Sequence, residues 1–360
     1  MREPGAAYRE VYRENASLWR TLEQVVYVGS HLPRVVSVVR QLHTRGRVVV
    51  KKSKEVQTDA EGVLVVDKPT GVTSHDVVRQ ARRMYRTRSI GHAGTLDPMA
   101  SGVVVLMIGE ATKLCPYLTG QDKTYRATVD FSSSTDTWDR EGVVTLTALP
   151  QQSSIDLGAL EEALDAERHR TEQHPPAFSA IKVDGIRAYH RARRGVSMKL
   201  KSRPVRVLDL VLERWQPPCA TVYLTVTKGY YVRSLAHDLG EHLGVPAHLS
   251  ELRRLASGQF TLEGAVPWPD RRNLDSGPRF PAPALLPMAQ AAQRALGCVR
   301  LTDRGERRAR VGQQLDADDF WDTCPEQTAA WIGADGRLVA LGRKGEDGGY
   351  RVVRGFSPGH

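Results

Sequence analysis

The chain has 360 residues, with 51 Lys and Arg against 41 Asp and Glu and a formal net charge of +10. That length accommodates two or three domains, and the positive surplus favours a polyanionic partner such as nucleic acid. No apolar run is long enough to span a bilayer, and Arg2, Glu3, Arg9, Glu10, Arg13 and Glu14 leave no apolar leader core, so a cytoplasmic protein is expected.

Cysteine usage points the same way. Cys115, Cys219, Cys298 and Cys324 form no C-x-x-C pair, which speaks against a zinc knuckle and for reduced thiols.

Residues 1–60 hold 11 Lys and Arg against 6 Asp and Glu. Leu18, Leu22, Val25 and Val26 fall at helical spacing, and Arg45, Arg47, Lys51, Lys52 and Lys54 follow as a basic run. The segment reads as a basic N-terminal extension, either loosely ordered or an arm for RNA phosphates.

From Gly62 the pattern becomes globular. Val63–Val66 predicts a buried strand, and Lys68-Pro69-Thr70-Gly71 predicts a turn. Thr73 and Asp76 match a capping box, and Val77, Val78, Ala81, Met84 and Tyr85 continue at helical spacing. Gly102–Ile108 reads as a second buried strand, and Tyr125–Phe131 alternates as a half-exposed one. Leu157–Arg168 predicts an amphipathic helix, and Thr221–Thr227 an alternating strand. Val232–Leu243 predicts a helix closed by Gly244.

Six prolines between Pro267 and Pro287 read as a linker, and short apolar runs at Trp331, Leu338 and Tyr350 end the chain as a β-rich piece. Strands interspersed with helices predict an α+β fold with a mixed, largely antiparallel sheet flanked by helices. The domain plan is 1–60 extension, 61–265 catalytic domain, 266–289 linker and 290–360 small β-rich domain.

Nucleotide-binding signatures are absent: there is neither G-x-G-x-x-G nor a Walker A. Ser179-Ala-Ile-Lys182 matches S-x-x-K, but Pro175-Pro176 precede it and no S-D-N or K-T-G accompanies it. His237 and His242 lie about 140° apart around a helix, poor geometry for a shared metal.

The informative stretch is Gly91-His92-Ala93-Gly94-Thr95-Leu96-Asp97-Pro98. Two glycines and a proline define a tight loop carrying one carboxylate, and a buried strand follows at once. Physics alone allows a catalytic Asp97 at a sheet rim or a turn aspartate that merely caps the loop.

This loop resembles the catalytic loop of the TruB family of tRNA pseudouridine-55 synthases. Further blocks resemble the same family in order: Gly62–Pro69, Gly109-Glu110-Ala111-Thr112-Lys113, Lys123-Thr124-Tyr125, Thr135-Asp136-Thr137 with Asp139 and Gly142, Pro175–Lys182, and Lys228–Leu235. Tyr230 stands where the family's K-G-T-Y motif has a small residue.

The resemblance implies isomerisation of uridine to pseudouridine at position 55 in the tRNA T loop, by base flipping. It implies Asp97, Tyr125 and Arg233 as catalytic residues. It implies His92, Tyr231, Lys68 and Pro69 as substrate-binding ones, with Lys68 and Pro69 backing the tyrosine. It implies a PUA-like C-terminal domain, a tRNA T-arm partner, a monomer, no metal and no cofactor. Another RNA substrate, or a tRNA-folding chaperone, remains an alternative. Arg79, Arg82, Arg83 and Arg86, and the cluster Arg187, Arg191, Arg193, Arg194, Lys199, Lys201, Arg203 and Arg206, fit phosphate contacts.

Overall fold

The computed structural model describes residues 60–149, 155–179, 200–269 and 283–357, plus the backbone of five short strands outside those ranges. The chain divides into two units, Met1–Gln57 and Thr58–His360. In the first, Glu23–Val25, Val38–Thr44 and Arg47–Val50 form an antiparallel three-stranded sheet. Val25, expected on a helical face, is therefore a strand residue, which suits its β-branched side chain. Leu18, Leu22, Val26, Arg45, Lys51, Lys52 and Lys54 lie outside the described residues, as do Arg191, Arg193, Arg194 and Lys199.

The second unit is built on a mixed sheet. In chain order its first elements are β1 (Gly62–Lys68), α1 (Ser74–Met84), β2 (Ile90–His92), β3 (Ser101–Ile108), α2 (Cys115–Thr119) and β4 (Lys123–Asp130). A hairpin of β5 (Ser133–Thr135) and β6 (Val144–Thr147) precedes α3 (Leu157–Arg168). Then come β7 (Val207–Gln216), β8 (Cys219–Val226), α4 (Val232–Leu243), β9 (His248–Ser257), β10 (Phe260–Thr261) and β11 (Val266–Pro267). The order is β7-β8-β4-β9-β3-β1-β11, with β2 on β3 and β10 on β9, nine strands among the described residues. Only the β9–β3 and β11–β1 pairings are parallel, as expected of a largely antiparallel sheet.

Sequence pattern and position in the sheet agree. In β4, Tyr125, Ala127 and Val129 are buried while the intervening residues face outward. That buried face packs with Leu160 and Leu164 of α3 and Leu235, Ala236 and Leu239 of α4. In β1 and β3 nearly every position is buried. Their second face, with Val63, Val65, Val103, Val105 and Met107, packs against Ala291, Ala292, Ala330, Leu341 and Phe356 from the end of the chain. A strand covered on both sides reads as a continuous apolar run, which is why no alternation shows there.

α5 (Met288–Ala295), β12 (Cys298–Arg300), α6 (Asp303–Arg310), β13 (Ala329–Ile332), β14 (Leu338–Lys344) and β15 (Tyr350–Gly355) complete the unit. The four strands form a sheet in that order, with their own cluster around Trp331. The piece is tied to β1 by paired main-chain hydrogen bonds between Val63 and Leu286 (2.9 and 2.8 Å) and by the shared apolar cluster. Among the described residues no helix is long and apolar enough to cross a membrane.

Candidate active site

The loop from Ala93 to Ala100 joins β2 to β3, and its main chain is held at nearly every step. Leu96 N–H donates to Ser74 Oγ (2.9 Å), whose hydroxyl donates back to Leu96 O (3.1 Å). Ser74 can do this because it opens α1, which Thr73 and Asp76 start with the expected capping box. Gly71 N–H donates to Pro98 O (2.8 Å). Arg254 of β9, 1% exposed, donates to Val103 O (2.6 Å), Thr95 O (3.4 Å) and Gly94 O (3.3 Å). Leu96, Met99 and Ala100 sink into the core, and the Asp97 side chain keeps 30% of its surface exposed.

Lys68 is wholly buried. Its ammonium donates to Ala100 O (2.6 Å), Val72 O (2.7 Å) and Pro69 O (2.9 Å), which uses all three donors. Burial pushes its pKa down to about 8; Asp97 opposes that shift and Arg254 reinforces it. Lys123, likewise buried, is pushed to about 8 by burial and then Arg254. Its ammonium donates to Thr119 O (2.7 Å) and to Gln121 O. Lys68 thus braces the loop from beneath, while the half-buried Pro69 lies beside it.

Arg233, in the first turn of α4, reaches Asp97 from 136 residues away in sequence. Nη2 donates to Asp97 Oδ1 (3.3 Å), and Nε makes a charge contact with Oδ2 at 2.9 Å. The same guanidinium meets Asp139 Oδ2 (3.5 Å) and donates to Thr137 O (3.2 Å) and Phe178 O (3.0 Å). Arg233 and Asp139 side chains are 6% and 8% exposed. Asp139 is fixed in turn by Thr137 Oγ1 (2.8 Å) and Glu141 N–H (3.0 Å). One buried cation therefore lies between two carboxylates, of which only Asp97 is substantially open to solvent.

The remaining expected residues surround this pair at different removes. Tyr125 is 8% exposed and shares the apolar cluster of Leu96, Met99 and Ala100; across the sheet it faces Arg254. Tyr231 immediately precedes α4, and burial pushes its phenol up, with Arg203 and Arg233 pulling it back. His92 ends β2 with its Nδ1 buried beside the main chain of Gly94. Burial pushes the imidazole pKa down. The structure joins Asp97 directly to Arg233 and sets Tyr231 close to both, whereas no hydrogen bond or ion pair links His92 to Asp97 among the described residues.

Tyr230 has its own explanation. Its hydroxyl donates to Glu167 Oε1 (2.7 Å), and Glu167 is also bound by Arg170, which pairs with Asp238 (3.3 Å). The large Tyr230 side chain is matched by a buried acceptor on α3.

Sequence reasoning quoted Asp139 only as part of a turn and overlooked Ser74 and Arg254. The T-D-T-x-D spacing could have flagged Asp139. Nothing local marks Arg254, because its role arises from the parallel pairing of β9 with β3.

Comparison with known proteins identifies the family. The family model for the TruB family pseudouridylate synthase N-terminal domain matches residues 82–232, and that for the tRNA pseudouridylate synthase B C-terminal domain matches 233–270. A tRNA pseudouridine synthase B from Opitutus terrae is 42% identical over 244 residues, 66% of this chain and 98% of that protein. One from Solibacter usitatus is 38% identical over 282 residues, 78% of this chain and 95% of that protein. One from Cutibacterium acnes is 40% identical over 304 residues, 83% and 99% respectively.

Among solved structures, a chain of an H/ACA RNP bound to a substrate RNA containing 2'-deoxyuridine superposes with a TM-score of 0.59. It is 23% identical and covers 82% of this chain and 85% of that one, a likeness of fold. With relatives matched over nearly their whole length, and with Asp97 and Arg233 brought into contact from separate blocks of the family pattern, the chain belongs to the TruB family of pseudouridylate synthases.

Proposed function

We propose that this chain isomerises uridine to pseudouridine at position 55 in the T loop of tRNA, acting as a cytoplasmic monomer on the T-arm stem-loop. The carrying observation is the Asp97–Arg233 pair on a braced loop. The reaction breaks the C1′–N1 glycosidic bond and forms C1′–C5; N1 gains a proton and C5 loses one. No electrons are exchanged overall, so acid–base and nucleophilic side chains can supply what it requires.

The glycosidic bond of a stacked uridine is hidden, so the nucleotide is first flipped into the pocket. Asp97, exposed enough to meet it, serves as the essential carboxylate, either as nucleophile or as base. Arg233 pairs with that carboxylate and fixes its orientation toward the pocket. Tyr125 offers a stacking face and a polar tip for the base and, in this reading, accepts the C5 proton. His92 holds the opened RNA loop, and Tyr231 lines the pocket. Lys68 and Pro69 back the tyrosine.

The test incubates the protein with a T-arm stem-loop and maps pseudouridine by mass spectrometry, with ribosomal RNA fragments and a T-arm lacking the target uridine in parallel. Product at position 55 alone is expected. Undiminished product from Asp97→Ala would sink the role of Asp97, and product only on ribosomal RNA would move the substrate.

A further inference from the structure

α4 begins without a capping side chain of its own: Tyr231 stands at the N-cap and makes no side-chain cap hydrogen bond. A partner comes from outside the helix. Gln173 Oε1 accepts Tyr231 N–H (2.7 Å), and Gln173 Nε2 donates to Tyr231 O (3.1 Å). A carboxamide carries one acceptor and one donor side by side, so it can grip both polar groups of a single residue. Gln173 is 2% exposed, which keeps water from competing for these bonds.

Gln173 is itself anchored. Glu172–Gln173 pairs antiparallel with Arg203–Pro204, and Val205 N–H donates to Thr171 O (2.9 Å). The chain beyond it stays on the start of α4. Ser234 Oγ donates to His174 O (2.8 Å), and Arg233 Nη2 donates to Phe178 O (3.0 Å). Pro175 and Pro176 stiffen the span between those contacts. Tyr231, Arg233 and Ser234 are thus all held by one strap.

We propose that Gln173 is a positioning residue for the reaction: its carboxamide holds the main chain of Tyr231 and so sets Arg233 against Asp97. The inference rests on the functional reading above and extends it to a residue outside the reacting centre. Gln173 acts only through Tyr231 and Arg233.

The test combines steady-state turnover on the T-arm stem-loop with amide hydrogen exchange at Tyr231, both in the full chain. Gln173→Leu removes both bonds at similar volume. It should lower kcat about 10²-fold, the scale on which small misplacements act, with KM for the RNA unchanged. Its Tyr231 amide should exchange faster. Gln173→Glu keeps the acceptor and loses the donor; it should retain Tyr231 protection and turn over at an intermediate rate.

Wild-type kcat in both variants would overturn the proposal, as would a change confined to KM. So would a slowed Gln173→Leu enzyme whose Tyr231 amide stays as protected as in the wild type. If Gln173→Leu does not fold, Gln173→Glu decides by the same kcat criterion. A wild-type chain inactive on the RNA would remove the functional reading instead. Faster exchange in Gln173→Leu would then still uphold the clamp, and unchanged exchange would overturn it.

Discussion

Arg233 faces Asp97, Asp139 and two main-chain carbonyls from a position where water scarcely reaches. Its removal leaves Asp139 buried and unpaired as well as Asp97 unsupported. Arg233→Met should therefore lose activity and about 3–5 kcal/mol of stability, measured by denaturant unfolding. Asp97→Asn, at a more exposed position, should abolish turnover with little loss of stability.

Tyr230 allows a second experiment. Burial raises the Glu167 pKa, and the Tyr230 hydrogen bond counters part of that rise. A folded value above the unfolded one means that the native state holds the extra proton. The stability contributed by this group is then complete below the usual carboxylate value and is lost as pH rises through the folded value. Removing the hydroxyl raises the folded value further. Tyr230→Phe should cost about 1–3 kcal/mol at neutral pH and less in acid, and denaturant melts at several pH values would show it. A cost that does not change with pH would contradict the role given to the hydroxyl.

At the scale of elements, the parallel pairing of β9 with β3 decides how the Asp97 loop is supported. Gly102 has φ +111°, and a Cβ there would stand 2.1 Å from Arg254 O and 2.7 Å from Arg254 N. Gly102→Ala should separate the two strands and weaken the Arg254 bonds to the loop. A loss of about 2–4 kcal/mol in unfolding free energy is expected, with a larger proportional drop in turnover. Legibility differs among elements for a physical reason. α3 and α4 were legible to the residue, because a helix that buries one face carries a 3.6-residue period and its own stop signal; Gly244 takes the left-handed conformation expected of it. β2 and β11 left no trace, because strands of two or three residues exist only through the neighbours they pair with.

Over the whole molecule, the end of the chain and the sheet share one apolar cluster. Val63, Val103 and Phe260 pack with Ala291, Leu341 and Phe356. Cutting the chain after residue 265, at the boundary suggested by the prolines, would expose that face. Such a protein should aggregate or bind hydrophobic dye. Calorimetry and dye binding on that truncated chain check the expectation.

The α+β class and the order of the main strands and helices are local properties, written in periodicity and turn residues; the candidate set from Lys68 to Arg233 is legible only through motif blocks that resemble a known family. Contact between Asp97 and Arg233 is not a local property. Alone, Asp97 reads more readily as a turn aspartate than as a catalytic one, and Arg233 as one of 51 cations. Only strand pairing and helix packing determine which carboxylate meets which guanidinium, which lysine is stripped of water, and that Gln173 reaches Tyr231. Those outcomes depend on distances between segments far apart in the chain, and no local pattern encodes them.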